Sequence, residues 1–260
     1  MKKTLFVCAA IAAVLTLSGC NKAEKVSING IADLANKKIG VQSGTTGDLW
    51  VSENVTGAKI SGFKSGIDAA LDLKNGAIDA VVLDELPAKA IVARNPDLVI
   101  VRDPEFAANK EEYAIAVKKG SADLLMCINN TIATMQKDGS YEALVNAFMP
   151  VDGNIVIPSN INTSGDKTLK LGTNATFPPF EYVEGQNIVG FDISMGQKIC
   201  QTAGAKLQVV NMEFDSLIAA LQAETIDFIA AGMSVTEERK KNVDFSEPYY
   251  ASEQVIIVRK

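Results

Sequence analysis

Arg239 follows Ser234 and Gly232 in the run Ala-Ala-Gly-Met-Ser-Val-Thr-Glu-Glu-Arg at positions 230–239. A guanidinium is planar, permanently charged and presents paired N–H donors that match a carboxylate. A serine hydroxyl adds a short hydrogen bond, and a glycine lets the backbone approach a ligand. Together these residue types build a carboxylate clamp. Taken alone, the same stretch also reads as a charged surface helix capped by Thr236. The chain contains no histidine. That excludes Ser-His-Asp and Cys-His catalysis and removes the commonest nitrogen ligand of zinc. No metal or cofactor is expected. The net charge of −6 carries no basic footprint for nucleic acid. The four cysteines show no CxxC spacing, so thiol redox chemistry is not indicated.

The clamp must be carried by a scaffold, and the scaffold is legible in the alternation of apolar runs and amphipathic stretches across 260 residues. A strand at 38–41 runs into the small polar turn of Gln42, Thr45 and Thr46, with a helix after 48. Helical spacing at 66–75 precedes a buried strand at 78–83 that ends on Asp84, itself a candidate helix N-cap. Strands are predicted at 98–101 and 113–117, and helices at 121–136 and 140–148. After a polar connector, a second set begins: strand 169–172, loop 174–181, helix 191–201, strand 207–210, helix 214–222, strand 225–230 and a last strand at 254–259. This order predicts an α/β fold with mostly parallel sheets. A weak repeat relates residues 68–79 to 216–227; each is an amphipathic helix, a turn, then Ile-Asp opening a strand. Superposed, Asp84 falls at the place of Gly232. Ligands of open α/β sheets bind beyond the carboxyl ends of strands, so two such lobes facing each other would enclose a cleft.

The first twenty residues read as a leader: Lys2 and Lys3, then a mostly apolar run to 17, too short for a comfortable span. Leu-Ser-Gly-Cys at 17–20 resembles the lipobox of bacterial lipoproteins. That resemblance implies export and lipidation of Cys20, with a plain secretory signal as the alternative.

The motifs together resemble a family. They are Gly-Thr-Asn-Ala-Thr-Phe-Pro-Pro-Phe-Glu-Tyr at 172–182, Val-Gly-Phe-Asp at 189–192, the Arg239 block, Gly-Val-Gln-Ser-Gly-Thr-Thr-Gly at 40–47, and Asp84 with Glu85. The chain resembles the periplasmic polar-amino-acid-binding proteins of ABC importers, solute-binding protein family 3. The resemblance implies a two-lobed type II periplasmic-binding-protein fold with the ligand cleft between lobes. It assigns the ligand's α-carboxylate to Arg239, with Ser234, Gly232 and, from the other lobe, Thr45 and Thr46. It assigns the α-ammonium to Asp84 and the aliphatic stem to Phe177 and Phe214. Asn174, Gln42 and Glu181 would meet the side chain. A lone phenylalanine would otherwise be read as core. The implied activity is capture of a polar or basic L-amino acid (arginine, lysine or glutamine class) by cleft closure, and delivery to an ABC permease and ATPase complex. The receptor would be a monomer in the periplasm or at the cell surface, lipid-anchored to a bacterial membrane. A dehydratase-like enzyme on the same fold and a ligand-sensing module are the alternatives.

The order of blocks departs from the family. Residues 168–260 resemble its first portion and 27–149 its later portion, so a circular permutation is expected. The expected division is a lipoprotein signal peptide at 1–20, a tether at 21–30, a small lobe at 31–113 and a large lobe at 114–260, with a connector at about 150–167. A single hinge strand would then join the lobes and open them more freely.

Overall fold

The structure is a computed structural model that describes residues 27–260. The leader at 1–20, Cys20 and most of the tether lie outside the described residues.

Two five-stranded sheets form two lobes, and they share one layout. In the first, Lys59–Phe63, Lys38–Gln42 and Ala80–Asp84 run parallel, followed by Gln254–Arg259 and then Leu98–Val101. Gln254–Arg259 is antiparallel to both of its neighbours. In the second, Ala205–Asn211, Lys167–Thr173 and Phe228–Ile229 run parallel, followed by Ala116–Lys118 and then Val243–Phe245. Ala116–Lys118 is again antiparallel to both neighbours. In each sheet the antiparallel strand arrives from the other lobe. This is the expected mixed α/β, two-lobed architecture.

One expectation is corrected by this pairing. The large lobe does not run on to residue 260, because Gln254–Arg259 sits inside the first sheet between Ala80–Asp84 and Leu98–Val101. Its residues 254–258 are all buried, and a strand so buried needs both edges paired and both faces covered. The small-lobe sheet offers that slot. The small lobe is therefore discontinuous in sequence, and two segments cross between lobes rather than one. They pair with each other as a two-stranded antiparallel ribbon, Glu111–Tyr113 against Tyr250–Ser252. The freer opening expected of a single hinge loses its basis.

The internal repeat has a physical origin. Asp79 N–H donates to the Lys38 carbonyl at 2.7 Å while the Asp79 carboxylate accepts from Lys38 N–H at 2.9 Å. Asp227 does the same with Lys170, at 2.8 and 2.7 Å. The preceding isoleucines are equivalent too. Ile78 Cδ1 lies over Gly40 and Ile226 Cδ1 over Gly172, so close that a Cβ on either glycine would meet it at 2.5 or 2.3 Å. Each Ile-Asp pair thus fixes the register of the strand that carries site residues at its end.

Helices cover the sheets with capped starts. Ser65 Oγ caps Gly66–Lys74 through Asp68 N–H at 3.1 Å, and Thr45 Oγ1 caps Thr46–Asn54 through Asp48 N–H at 3.3 Å. The strand expected at 225–230 is reduced to Phe228–Ile229, because the chain leaves the ladder at Ala230 to form the Arg239 loop. Cys200 is buried, Cys127 is half-buried, and both are unpaired.

Gly172→Ala is expected to overpack against Ile226 and cost about 1–3 kcal/mol. Ile226→Val removes the colliding methyl and is expected to recover part of that loss, which urea-unfolding midpoints of the single and double variants measure.

Candidate functional site

The cleft between the sheets is lined by Gln42, Thr45, Thr46 and Asp84 from one lobe, and by Asn174, Phe177, Glu181, Phe214, Ala231, Gly232, Ser234 and Arg239 from the other. All eleven residues that the sequence analysis assigns to a ligand thus line one space. The space between their atoms is about 290 Å³, open solvent included.

Arg239 stands on the short helix Glu237–Lys240, whose first turn is held by Thr236 Oγ1 accepting from Arg239 N–H at 3.1 Å. The cap turns the side chain inward, where it is 7% exposed. Nη1 donates to the Ser234 carbonyl at 2.7 Å, and Nη2 crosses the cleft to the Gly44 carbonyl at 3.0 Å. The guanidinium also lies 5.3 Å from the Phe214 ring centroid. Its ion pairs are the informative feature: among the described residues, no carboxylate lies within 4.0 Å of it. Burial holds its pKa below the usual arginine value, while the nearby charges of Glu111 and Asp84 pull the other way.

Gly232 adopts a left-handed backbone, φ +52°, and a Cβ there would meet Phe177 Cε1 at 2.7 Å. Its N–H donates to Asp192 Oδ2 at 2.8 Å, which also accepts from Tyr249 Oη at 2.7 Å. Asp192 thereby anchors the loop that carries Ser234 and Arg239.

The opposite polarity gathers elsewhere in the cleft. Asp84 ends its strand at the N-cap of Glu85–Ala93, but its carboxylate makes no capping bond. It turns to the cleft and accepts from Tyr113 Oη at 2.6 Å. Burial, then the charge of Glu111, pushes its pKa up to about 7. Glu181 is fully buried and neither of its oxygens has a donor among the described residues. Burial and the adjacent Asp192 push Glu181 well above the carboxylate range, and burial raises Asp192 to about 6. Asp192 Oδ1 also lacks a donor, so a proton retained on Glu181 supplies one.

Several predicted residues are engaged by the protein itself. Asn174 Nδ2 donates to the Met212 carbonyl at 2.8 Å, and its Oδ1 accepts from Gln42 Nε2 at 3.0 Å and Thr176 Oγ1 at 2.7 Å. Gln42 and Asn174 therefore join the lobes, leaving Gln42 Oε1 as a buried acceptor without a partner. Thr45 Oγ1 is committed to its cap and to the Gln42 carbonyl at 2.8 Å. Phe177 is buried against Phe180, ring centroids 6.1 Å apart, and forms the wall beside Gly232.

Sequence reasoning missed Glu111, Tyr113, Asp192 and Gln254 as members of the site. Glu111 accepts from Thr46 Oγ1, from Ser234 Oγ and, at 3.1 Å, from Gln254 Nε2. The signal was present: Glu111 and Tyr113 alternate onto one face of an extended segment.

The buried Arg239 guanidinium, with no carboxylate within 4.0 Å among the described residues, shares the cleft with donor-free Glu181 of its own lobe and with Asp84 of the other, an arrangement that can accept a small solute carrying charges of both signs. Residues 169–260 match the family model of the bacterial extracellular solute-binding proteins, family 3. The chain is 46% identical over 97 residues to the arginine-binding extracellular protein ArtP of Bacillus subtilis, 37% of this chain and 38% of ArtP. It is 34% identical over 141 residues to the L-cystine-binding protein TcyJ of Escherichia coli K12, 53% of this chain and 52% of TcyJ. Among solved structures, the arginine-bound form of domain 1 from TmArgBP is 44% identical, covering 36% of this chain and 80% of that one, with a TM-score of 0.32. The chain thus spans about half, or less, of the length of these curated relatives.

The raised pKa of Asp84 has a stability consequence. Between the ordinary value of 3.8 and about 7 the folded state holds a proton that the unfolded state has released, so stability falls as pH rises through that window. Asp84→Asn removes this slope. Its melting temperature relative to wild type is expected to rise between pH 5 and pH 8 and to level off above, which paired thermal melts without ligand will check.

Proposed function

We propose that the chain is an extracytoplasmic receptor that captures a basic L-amino acid by closure of its two lobes and delivers it to an ABC permease and ATPase complex. The observation that carries this reading is the charge pattern of the cleft. Arg239 offers donors to an α-carboxylate, Asp84 offers an acceptor to an α-ammonium, and Glu181 with Gln42 Oε1 offers acceptors to a donor-rich side-chain tip. Burying an amino acid demands that each of its charges be paired, and this arrangement pairs all three. Phe177 and Phe214 supply apolar surface for the stem between them. ArtP, named as arginine-binding, supports the same ligand class.

Binding without turnover completes the reading. Its acids are placed to hold charge, and the ligand is released as it entered. Cys20 as a lipid anchor on a bacterial membrane, with a monomeric receptor in the periplasm or at the cell surface, belongs to the same proposal and rests on the lipobox resemblance.

The order of the blocks is read as a circular permutation. The support is the shared layout of the two sheets and the packing of Ile28 with Ile256 and Val258 in one apolar cluster. The early residues and the last strand thus occupy neighbouring places in the small lobe.

A thermal-shift screen against the twenty amino acids tests the function. A ligand that binds only the native state raises the melting temperature by mass action. L-Arginine or L-lysine is expected to give the largest shift. Arg239→Ala is expected to abolish it, and Glu181→Gln to narrow the preference over L-glutamine. A folded protein with no shift for any amino acid contradicts the proposal, as does net conversion of the amino acid on incubation.

A further inference from the structure

Glu111 lies on the ribbon where the chain crosses between lobes, and its Oε2 accepts hydrogen bonds from Ser234 Oγ of one lobe and Thr46 Oγ1 of the other, each at 2.5 Å. Its Oε1 accepts from Gln254 Nε2 on the second crossing segment at 3.1 Å. One carboxylate thus gathers two of the cleft's hydroxyls, one from each lobe, and both halves of the hinge.

Counting protons shows what this does to the cleft. A hydroxyl has one proton and two lone pairs, whereas an ionised carboxylate has only acceptors. The proton in each of these two bonds therefore belongs to the hydroxyl and points at Glu111. Ser234 Oγ and Thr46 Oγ1 then have no proton left to donate into the cleft. They present lone pairs there, although Thr46 Oγ1 also receives a long bond from Gln254 Nε2 at 3.4 Å. An acceptor suits an ammonium and is useless to a carboxylate.

We propose that Glu111 is a specificity-determining positioning residue: by taking the protons of Ser234 and Thr46 it turns both hydroxyls into acceptors, which join Asp84 in reading the ligand's α-ammonium. This inference rests on the receptor reading and revises one part of it. Ser234 then serves the α-carboxylate through its main chain and through the Arg239 guanidinium it holds by its carbonyl, and its hydroxyl serves the other charge. Glu111→Gln undoes the arrangement with little change of shape. A glutamine side chain has one acceptor and one donor end. It cannot accept from Ser234, Thr46 and Gln254 as the carboxylate does, so at least one hydroxyl is released to turn its proton into the cleft.

The test is calorimetric titration of the full mature chain with two probes, L-arginine and its des-amino analogue 5-guanidinopentanoate. The wild type is expected to prefer L-arginine strongly. Glu111→Gln is expected to weaken L-arginine by about tenfold or more, the value of one hydrogen bond to a charged group. It is expected to leave 5-guanidinopentanoate within about threefold, a change of well under one such bond. Ser234→Ala, which leaves the hinge carboxylate in place, is expected to show the same split. Equal weakening of both probes by Glu111→Gln would show that Glu111 only braces the closed lobes, and overturns the inference while leaving the receptor reading intact. Unchanged affinity for L-arginine overturns it as well. A wild type that binds neither probe overturns the receptor reading for a basic amino acid, and the inference with it.

Discussion

A guanidinium that is nine-tenths removed from water must be hydrogen-bonded and, in the end, charge-compensated. Arg239 meets the first demand with two carbonyls, one from each lobe, and the face of Phe214. The second demand is met only at one remove, by the fields of Glu111 and Asp84. The surrounding structure is arranged to hold this group in place. The Thr236 cap aims it, the left-handed Gly232 lets the loop fold under Phe177, and Asp192 ties that loop down through the Gly232 amide. The Ile226 and Asp227 pair sets the strand from which the loop departs.

The acids of the cleft are the complement of that charge. Asp84, Glu181 and Asp192 are all raised by burial, so a positive charge nearby would favour their ionised forms. On the proposed reading, a cationic ligand would convert a costly desolvation into paired charges. The two crossing segments lie side by side in a ribbon, so any closure of the proposed kind would bend two strands together. Glu111 sits on that ribbon with a hydroxyl from each lobe in hand.

Much of this was legible in the sequence because it rests on local rules. The helix–turn–Ile-Asp repeat announced two similar lobes, and its hydrogen bonds and glycine contacts show why the residues recur. The eleven residues assigned to a ligand came from the family resemblance, and all of them line the cleft. What the sequence withheld was long-range pairing. The strand at 254–259 was read correctly as a strand, yet nothing local says that it slots into the other lobe's sheet. The same blindness hid Glu111 and Gln254, whose importance lies in partners more than sixty residues away. Asn174 shows the converse: it was assigned to the ligand's side chain, and the protein already uses its hydrogen-bonding groups.

The central claim is that buried, partly protonated acids pair with the positive charges of an amino acid. Proton exchange on binding tests it most directly. L-Arginine is titrated calorimetrically near pH 6.5, in buffers of differing ionisation enthalpy, and the buffer dependence of the heat gives the number of protons exchanged. With Asp84 raised to about 7 and Glu181 well above the carboxylate range, the account predicts net proton release as the cation forces these groups to ionise. Binding with no proton exchange, or with net uptake, would contradict it.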